Sequence, residues 1–217
     1  MVSIMITAGP TREYLDDVRY LSNGSSGRMG CALAEAARDA GHEVVLVLGP
    51  AEVAAPVGIA VCSVVSALEM QAAAEKAFES ADVVIAAAAV ADWRPVRRAV
   101  GKPPRAGERW MLELIPNPDI VAGLAARRGG RVVVGFALES VGAGLPAAVA
   151  RGREKLLRKQ LDLVVVNLHD AIGGATSEVV LCFADGRDEP LPRQDKPTTA
   201  ARIVRAAVEL WQGRQAS

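Results

Sequence analysis

The chain has 217 residues, 51% of them hydrophobic and 23% charged, enough to bury one good core, so a single domain over 1–217 is expected. Its 25 basic and 25 acidic side chains cancel, so bulk electrostatics support neither a nucleic-acid partner nor an anionic membrane surface.

The N-terminus, MVSIMITAG, is apolar but short and lacks a basic lead-in, unlike a signal peptide. SIMIT (3–7) reads as a first buried strand. A polar insertion (10–23) precedes a helix that places Met29, Ala32, Leu33, Ala36, Ala37 and Ala40 on one face and ends at Gly41. EVVLVL (43–48) and AVCSV (60–64) are the next strands, and Ser66 with Glu69 forms a capping box before a second helix. DVVIAAA (82–88) follows; Val83 to Ala91 is the longest apolar run, about half of a membrane span. Asn117-Pro118 pairs a helix cap with proline at the first helical position. RVVVGF (131–136) and DLVVVN (162–167) are strands flanking a helix from Pro146 to about Gln160. EVVLCFADGRDEPLP (178–192) reads as a hairpin around Asp185-Gly186 or a looser loop. A last helix runs from about Thr199 to Trp211 and stops at Gly213. This alternation predicts an α/β fold: a Rossmann-like, mostly parallel sheet with helices on both faces and a C-terminal β-hairpin.

Cys31, Cys62 and Cys182 are far apart and odd in number, which reads as reduced, buried thiols in a cytoplasmic protein. His42 and His169, the two histidines, leave little material for a histidine-rich metal site or a Ser-His-Asp triad.

The stretch most suggestive of chemistry is SNGSSGRMG (22–30), where the first helix begins. Backbone amides and the positive dipole end of a helix favour a phosphate or carboxylate there, and Ser25, Ser26 and Arg28 add donors. Gly24, Gly27 and Gly30 are spaced G-x-x-G-x-x-G, unlike the G-x-G-x-x-G of a dinucleotide site. The second strand ends Leu46-Val47-Leu48-Gly49-Pro50 without the acidic residue that holds a ribose. Both features oppose an NAD(P)-linked oxidoreductase, the alternative enzyme reading. By themselves the loop also reads as a serine-capped turn and Asn23 as a turn residue.

Residues 6–37, ITAGPTREYLDDVRYLSNGSSGRMGCALAEAA, resemble the opening motif of phosphopantothenoylcysteine synthetase. AAAVADWRP (87–95), NPDIVAGLA (117–125), VVGFALES (133–140) and KLLRKQLDLVVVN (155–167) are similar to its later motifs, in order, and the resemblance extends to about residue 183. It implies a ligase. A nucleoside triphosphate, CTP in preference to ATP, activates the carboxylate of 4′-phosphopantothenate and releases pyrophosphate; the amine of cysteine then displaces CMP. It implies Mg2+ with the nucleotide, no flavin and no haem. The implied partners are small molecules (4′-phosphopantothenate, cysteine and CTP) and a second copy in a homodimer, with no nucleic acid and no membrane. In many bacteria this domain follows a flavin-dependent decarboxylase; nothing precedes it here, which reads as a free-standing cytoplasmic ligase.

The resemblance makes Asn23 the catalytic residue, its amide donating to the carbonyl of the acyl-nucleotide as charge develops. It puts Gly9, Thr11, Ser25, Ser26, Gly27 and Arg28 on the substrate side, with Arg28 where the family commonly has lysine. Lys155 and Lys159 share one helix face, suited to triphosphate, although alone they also read as a solvated basic face. Lys102 follows Asp92 at the family's ten-residue spacing, but Pro103-Pro104-Arg105 departs from its pattern and stiffens an expected flap. Ala86, Ala87 and Ala88 are small enough for a nucleotide to approach the backbone before Asp92, which alone also reads as a turn or cap. Pro118, Asp119, Ile120 and Val121 open a helix with free amides, and Phe136 could pack on the base or in the core. No covalent nucleophile stands out, and neither the metal ligands nor the base for the cysteine amine is assigned. A catalytically silent nucleotide-binding module is the remaining reading, encouraged by the departure at Lys102 and opposed by retention of Asn23, Asp92, Lys155 and Lys159.

Overall fold

The computed structural model describes residues 1–102, 107, 109–139, 144–168 and 176–216. Pro103, Pro104 and Arg105 of the expected flap, together with Ser140 and His169, lie outside the described residues.

Among the described residues, six strands run parallel: β1 (Ser3–Ala8), β4 (Glu43–Leu48), β5 (Ala60–Ser63), β6 (Val83–Ala86), β9 (Val132–Glu139) and β10 (Leu163–Leu168). β11 (Thr176–Phe183) and β12 (Asp188–Asp195) form the expected hairpin and extend the sheet antiparallel beyond β10. The order is β12-β11-β10-β9-β6-β1-β4-β5. Counting the parallel strands alone in chain order, this is 3-2-1-4-5-6, the order of dinucleotide folds, with its reversal between β1 and β6. The Rossmann-like expectation holds.

Among the described residues, five helices cover the sheet: α1 (Arg28–Asp39), α2 (Ala67–Phe78), α3 (Ile120–Ala126), α4 (Gly144–Lys159) and α5 (Lys196–Gln215). Alternation along each strand sends successive side chains to opposite faces. Ile4, Ile6, Ile85 and Val134 thus pack with Leu33 of α1 and Ile203 of α5. Met5, Val84 and Val133 pack on the other face with Phe78 of α2, Leu124 of α3 and Leu156 of α4. Gly30 lets α1 settle onto β1, since a Cβ there would lie 2.2 Å from that of Ala8. Gly152 does the same for α4, where a Cβ would meet a Val166 methyl at 2.3 Å.

Helix ends differ in detail from the sequence reading. Ser66 caps α2 by accepting from the Glu69 amide at 3.3 Å, while the Glu69 carboxylate accepts from Val65 rather than from the cap residue. Asp119, not Asn117, caps α3, accepting from the Ala122 amide at 3.1 Å. Asn117 instead donates its side-chain amide to the Ala91 carbonyl at 2.8 Å, which holds Pro118 outside the helix. α4 begins at Gly144, with Pro146 inside its first turn, where a missing N–H is harmless. α5 begins at Lys196 because Asp195 accepts from Thr198 at 2.8 Å, and it continues through Gly213.

The insertion contains β2 (Arg12–Tyr14) and β3 (Tyr20–Ser22), a short antiparallel pair. A second pair, β7 (Trp93–Pro95) and β8 (Leu114–Pro116), lies after β6. Glu13 is buried and accepts from the Ala67 amide at 2.9 Å, tying the insertion to the start of α2.

Cys31 and Cys182 are buried as expected, and burial beside Asp188 pushes the Cys182 thiol up to about 12. Cys62 is exposed, contrary to expectation: β5 is the edge strand, and all four of its residues are exposed. No helix among the described residues is long and apolar enough to cross a membrane.

Candidate active site

A cavity of about 860 Å³ opens where Thr7 of β1, Ala86 of β6, Phe136 of β9 and Asn167 of β10 reach the carboxyl side of the sheet. This is the crevice in which an open parallel sheet binds ligands. Its floor is the small-residue run after β6. The Ala87 amide donates to the Thr7 carbonyl at 3.0 Å, and the Ala89 amide to the Gly9 carbonyl at 2.9 Å. The backbone itself, rather than bulky side chains, therefore faces the cavity along Ala86, Ala87 and Ala88.

The glycine loop forms one wall. Gly27 adopts φ +78° at the start of α1, a conformation that favours glycine, and no side chain caps that helix. Serine capping is thus not what the loop provides. Ser25, Ser26, Gly27, Arg28, Met29 and Gly30 line the cavity instead, with Ser26 and Gly27 buried. Asn23 stands at the same wall and donates one amide hydrogen to the Val90 carbonyl at 2.9 Å. The same nitrogen lies 3.5 Å from the Ala89 carbonyl, a long second contact that a ligand acceptor would replace.

The opposite wall comes from α3 and α4. Lys155 donates to the Phe136 carbonyl at 2.6 Å. Lys159 pairs with Asp119, its Nζ 2.7 Å from the carboxylate. Pro118, Asp119, Ile120 and Val121 line the cavity with both lysines, and Asp92 is exposed at its edge. Phe136 is partly buried against the core with its ring side still on the cavity wall.

Three predicted residues are not on the cavity wall. Gly9 turns with φ +76° against the Gly49 carbonyl, and Thr11 is fully buried, its hydroxyl accepting from the Ala91 amide at 3.0 Å. Both shape the floor from behind it, through backbone and hydroxyl contacts to Ala89 and Ala91. Lys102 is exposed and apart from the cavity.

The structure adds Thr7, Asn117, Asn167 and Lys196 to the wall. Asn167 is the penultimate residue of the parallel strand β10, near the end where the strand-end rule points to ligands, and its Oδ1 is buried without a hydrogen-bond partner in this structure. Lys196 had no local signal at all. It is only 7% exposed, and burial, with the charge of Arg28, holds its ammonium below the ordinary lysine value.

No group of three or more potential ligands for a metal occurs among the described residues. A magnesium ion needs fewer, since it is commonly held by one or two carboxylates plus substrate phosphates. Asp92 at the cavity edge fits that mode.

The model of the DNA/pantothenate metabolism flavoprotein C-terminal domain family matches residues 1–210. The chain is 46% identical over 207 residues to the coenzyme A biosynthesis bifunctional protein CoaBC of Vibrio cholerae, covering 93% of this chain and 51% of that protein. It is 44% identical over 170 residues to the protein of the same name from Escherichia coli, covering 76% and 41%. The chain thus spans about half the length of these curated relatives. The crystal structure of the C-terminal domain of CoaBC matches with a TM-score of 0.82 at 31% identity, over 100% of this chain and 97% of that one. A Cab2 mutant in complex with phosphopantothenate-cysteine shares the fold, with a TM-score of 0.79 at 16% identity over 100% and 89%.

Proposed function

The chain belongs to the DNA/pantothenate metabolism flavoprotein C-terminal domain family, and from that premise we propose that it joins 4′-phosphopantothenate to cysteine as a phosphopantothenoylcysteine synthetase. The observation that carries the reading is the meeting of Asn23, Asp92, Lys155 and Lys159, from separate motifs, around one cavity at the sheet's reversal point. Two relatives add support by their names: CoaBC acts in coenzyme A biosynthesis, and the Cab2 complex holds phosphopantothenate-cysteine, the product of this reaction.

In the first half-reaction a carboxylate oxygen of 4′-phosphopantothenate attacks the α-phosphorus of CTP. The bond to the bridging oxygen breaks, and pyrophosphate leaves with its electron pair. Lys155 and Lys159 place positive charge on the wall beside Ala86–Ala88, where the phosphates approach the backbone. Mg2+ arriving with the triphosphate and held by Asp92 would neutralise further phosphate charge.

In the second half-reaction the amine nitrogen of cysteine attacks the acyl carbon. The amide bond forms, CMP departs with the electrons of the acyl–oxygen bond, and the amine proton passes to water or a phosphate oxygen. An N–H of Asn23, giving up its long contact with the Ala89 carbonyl, would donate to the acyl oxygen as it becomes negative. CTP is preferred over ATP in this proposal because VGFALES (134–140) resembles the CTP-using bacterial type. A homodimer belongs to the same proposal, and Val18, Tyr20, Trp110 and Met111 offer exposed apolar surface for it. A cytoplasmic location completes it.

The test is pyrophosphate release with magnesium, 4′-phosphopantothenate and either CTP or ATP, with and without cysteine. Release that requires phosphopantothenate, turns over with cysteine and favours CTP is expected. No release with either nucleotide overturns the ligase reading.

A further inference from the structure

The backbone of the cavity floor, from Ala87 to Asp92, is bonded along both of its edges. Its amides turn back to β1 and the residues just after it: Ala87 to the Thr7 carbonyl at 3.0 Å, Ala89 to the Gly9 carbonyl at 2.9 Å and Ala91 to the Thr11 hydroxyl at 3.0 Å. Its carbonyls go to two asparagines on opposite walls. The Asn23 side chain donates to Val90 at 2.9 Å and makes the long contact with Ala89. The Asn117 side chain donates to Ala91 at 2.8 Å, and the Asn117 backbone amide donates to Asp92 at 2.8 Å. Four successive carbonyls, Ala89 to Asp92, are thus shared between one residue of the glycine-loop wall and one of the wall where α3 begins.

Asn117 is itself braced. The Arg94 guanidinium donates to its Oδ1 at 3.1 Å and to the Pro116 carbonyl at 2.7 Å. With Oδ1 accepting from a guanidinium and Nδ2 donating to a carbonyl, the amide has a single orientation that satisfies both partners. Arg94 belongs to β7, whose partner β8 ends at Pro116, so one side chain closes the strand pair and fixes the residue that follows it. Asp92 and Pro118–Val121 stand on the nucleotide side of the proposed reaction, and Asn23 on the acyl side. We propose that Arg94 and Asn117 are positioning residues: through the floor they hold Asp92 and the start of α3 in register with Asn23, so that the acyl group activated at one wall meets the donor on the other. This inference rests on the ligase reading and adds to it the device that aligns its two half-reactions.

The first experiment is steady-state kinetics. A misplacement of about 1 Å can cost about 100-fold in rate. Arg94→Met should therefore lower kcat by about 10- to 100-fold with no matching rise in KM for CTP or phosphopantothenate. Arg94→Lys, which keeps a cationic donor, should recover part of the rate. In an Asn117→Ala background, Arg94→Met should lower kcat little further, because the guanidinium acts through that amide. A rise in KM at unchanged kcat overturns the proposal, as do losses that simply add.

The second experiment needs neither turnover nor the Asn117 variant, so it stands even where alanine at that position prevents folding. Asn23, Asn117 and Asn167 are the three asparagines of the chain, so nitrogen-15 labelling of asparagine resolves their side-chain amides individually by NMR. Arg94→Met and Arg94→Lys should each shift the Asn117 signals and, through the carbonyls of Ala89 to Asp92, those of Asn23. Asn167, on β10, should stay in place. Asn23 signals that stay put while those of Asn117 move overturn the coupling, and so does a shift of all three, the mark of general loosening. Because no substrate is present, failure of the ligase reading (no pyrophosphate from wild type) is told apart from failure of the coupling.

Discussion

Lys159 holds both oxygens of the Asp119 carboxylate within reach, its Nζ 2.7 Å from one and 2.9 Å from the other. The same carboxylate accepts from the Ala122 amide and so caps α3. One acid thus anchors a helix end and positions the lysine that the proposed triphosphate would engage. The two roles separate by mutation.

Lys159→Met should raise KM for the nucleotide about tenfold or more, the worth of a charge-assisted phosphate contact, with little change in stability. Asp119→Ala should cost about 1 kcal/mol through loss of the cap, and Asp119→Asn less, because asparagine still caps. Urea midpoints and pyrophosphate-release kinetics on the three variants check this. Equal stability of Asp119→Ala and wild type would show that the cap is dispensable.

Asn23→Ala should leave pyrophosphate release in a single turnover largely intact and slow amide formation by about 100-fold or more, the usual worth of one donor to a developing oxyanion. The acyl-nucleotide should then accumulate in rapid-quench samples. Equal slowing of both half-reactions would mean that Asn23, through its bond to Val90, serves only to hold the loop.

The three loop glycines should respond differently to alanine. Gly24 has open space where a Cβ would go, so Gly24→Ala should stay within about 0.5 kcal/mol of wild type. Gly30→Ala would press a methyl to 2.2 Å from Ala8 and should cost about 1–3 kcal/mol by overpacking. Gly27→Ala meets both a positive φ of +78° and the Ala51 Cβ at 2.6 Å, and should cost at least as much. Chemical denaturation ranks them, and a Gly24→Ala as damaging as Gly30→Ala would contradict the packing argument.

The insertion should be acid-sensitive through Asp16. Burial alone would raise its carboxyl, but hydrogen bonds from the Arg19 and Val18 amides and from the Arg19 side chain, with that side chain's charge, bring it below the ordinary value. A carboxyl lowered in the folded state stabilises fully above the unfolded aspartate value, about 3.9, and loses that contribution as pH falls through the folded value. Stability of wild type should therefore drop more steeply below about pH 4 than that of Asp16→Asn. Parallel curves for the two proteins would remove Asp16 from the acid response.

The long buried strands were readable because their runs are apolar whichever face they present, as in Val83–Ala86 and Val132–Val134. The three-residue strands of the insertion and of Trp93–Pro95 with Leu114–Pro116 were not, since three residues carry no periodicity. Asn117-Pro118 looked like a cap because the residue types suit one. Only the position of the Ala91 carbonyl diverts Asn117 and leaves the capping to Asp119. Cys62 looked buried because its strand is apolar; its place at the sheet edge exposes it.

The order of elements, the glycine loop and most of the cavity wall are written in local patterns of residue type, which act through propensity and spacing and so can be read along the chain. The motifs around Asn23, Asp92, Lys155 and Lys159 belong to that class. The removal of Thr11 from the cavity and the arrival of Lys196 do not. Burial and proximity depend on which surfaces pack together, and no periodicity near Lys196 encodes that α5 lies beside α1 and brings it to the cavity of Arg28. The tertiary structure alone decided that, because the Arg28 charge that Lys196 feels comes from the other end of the chain.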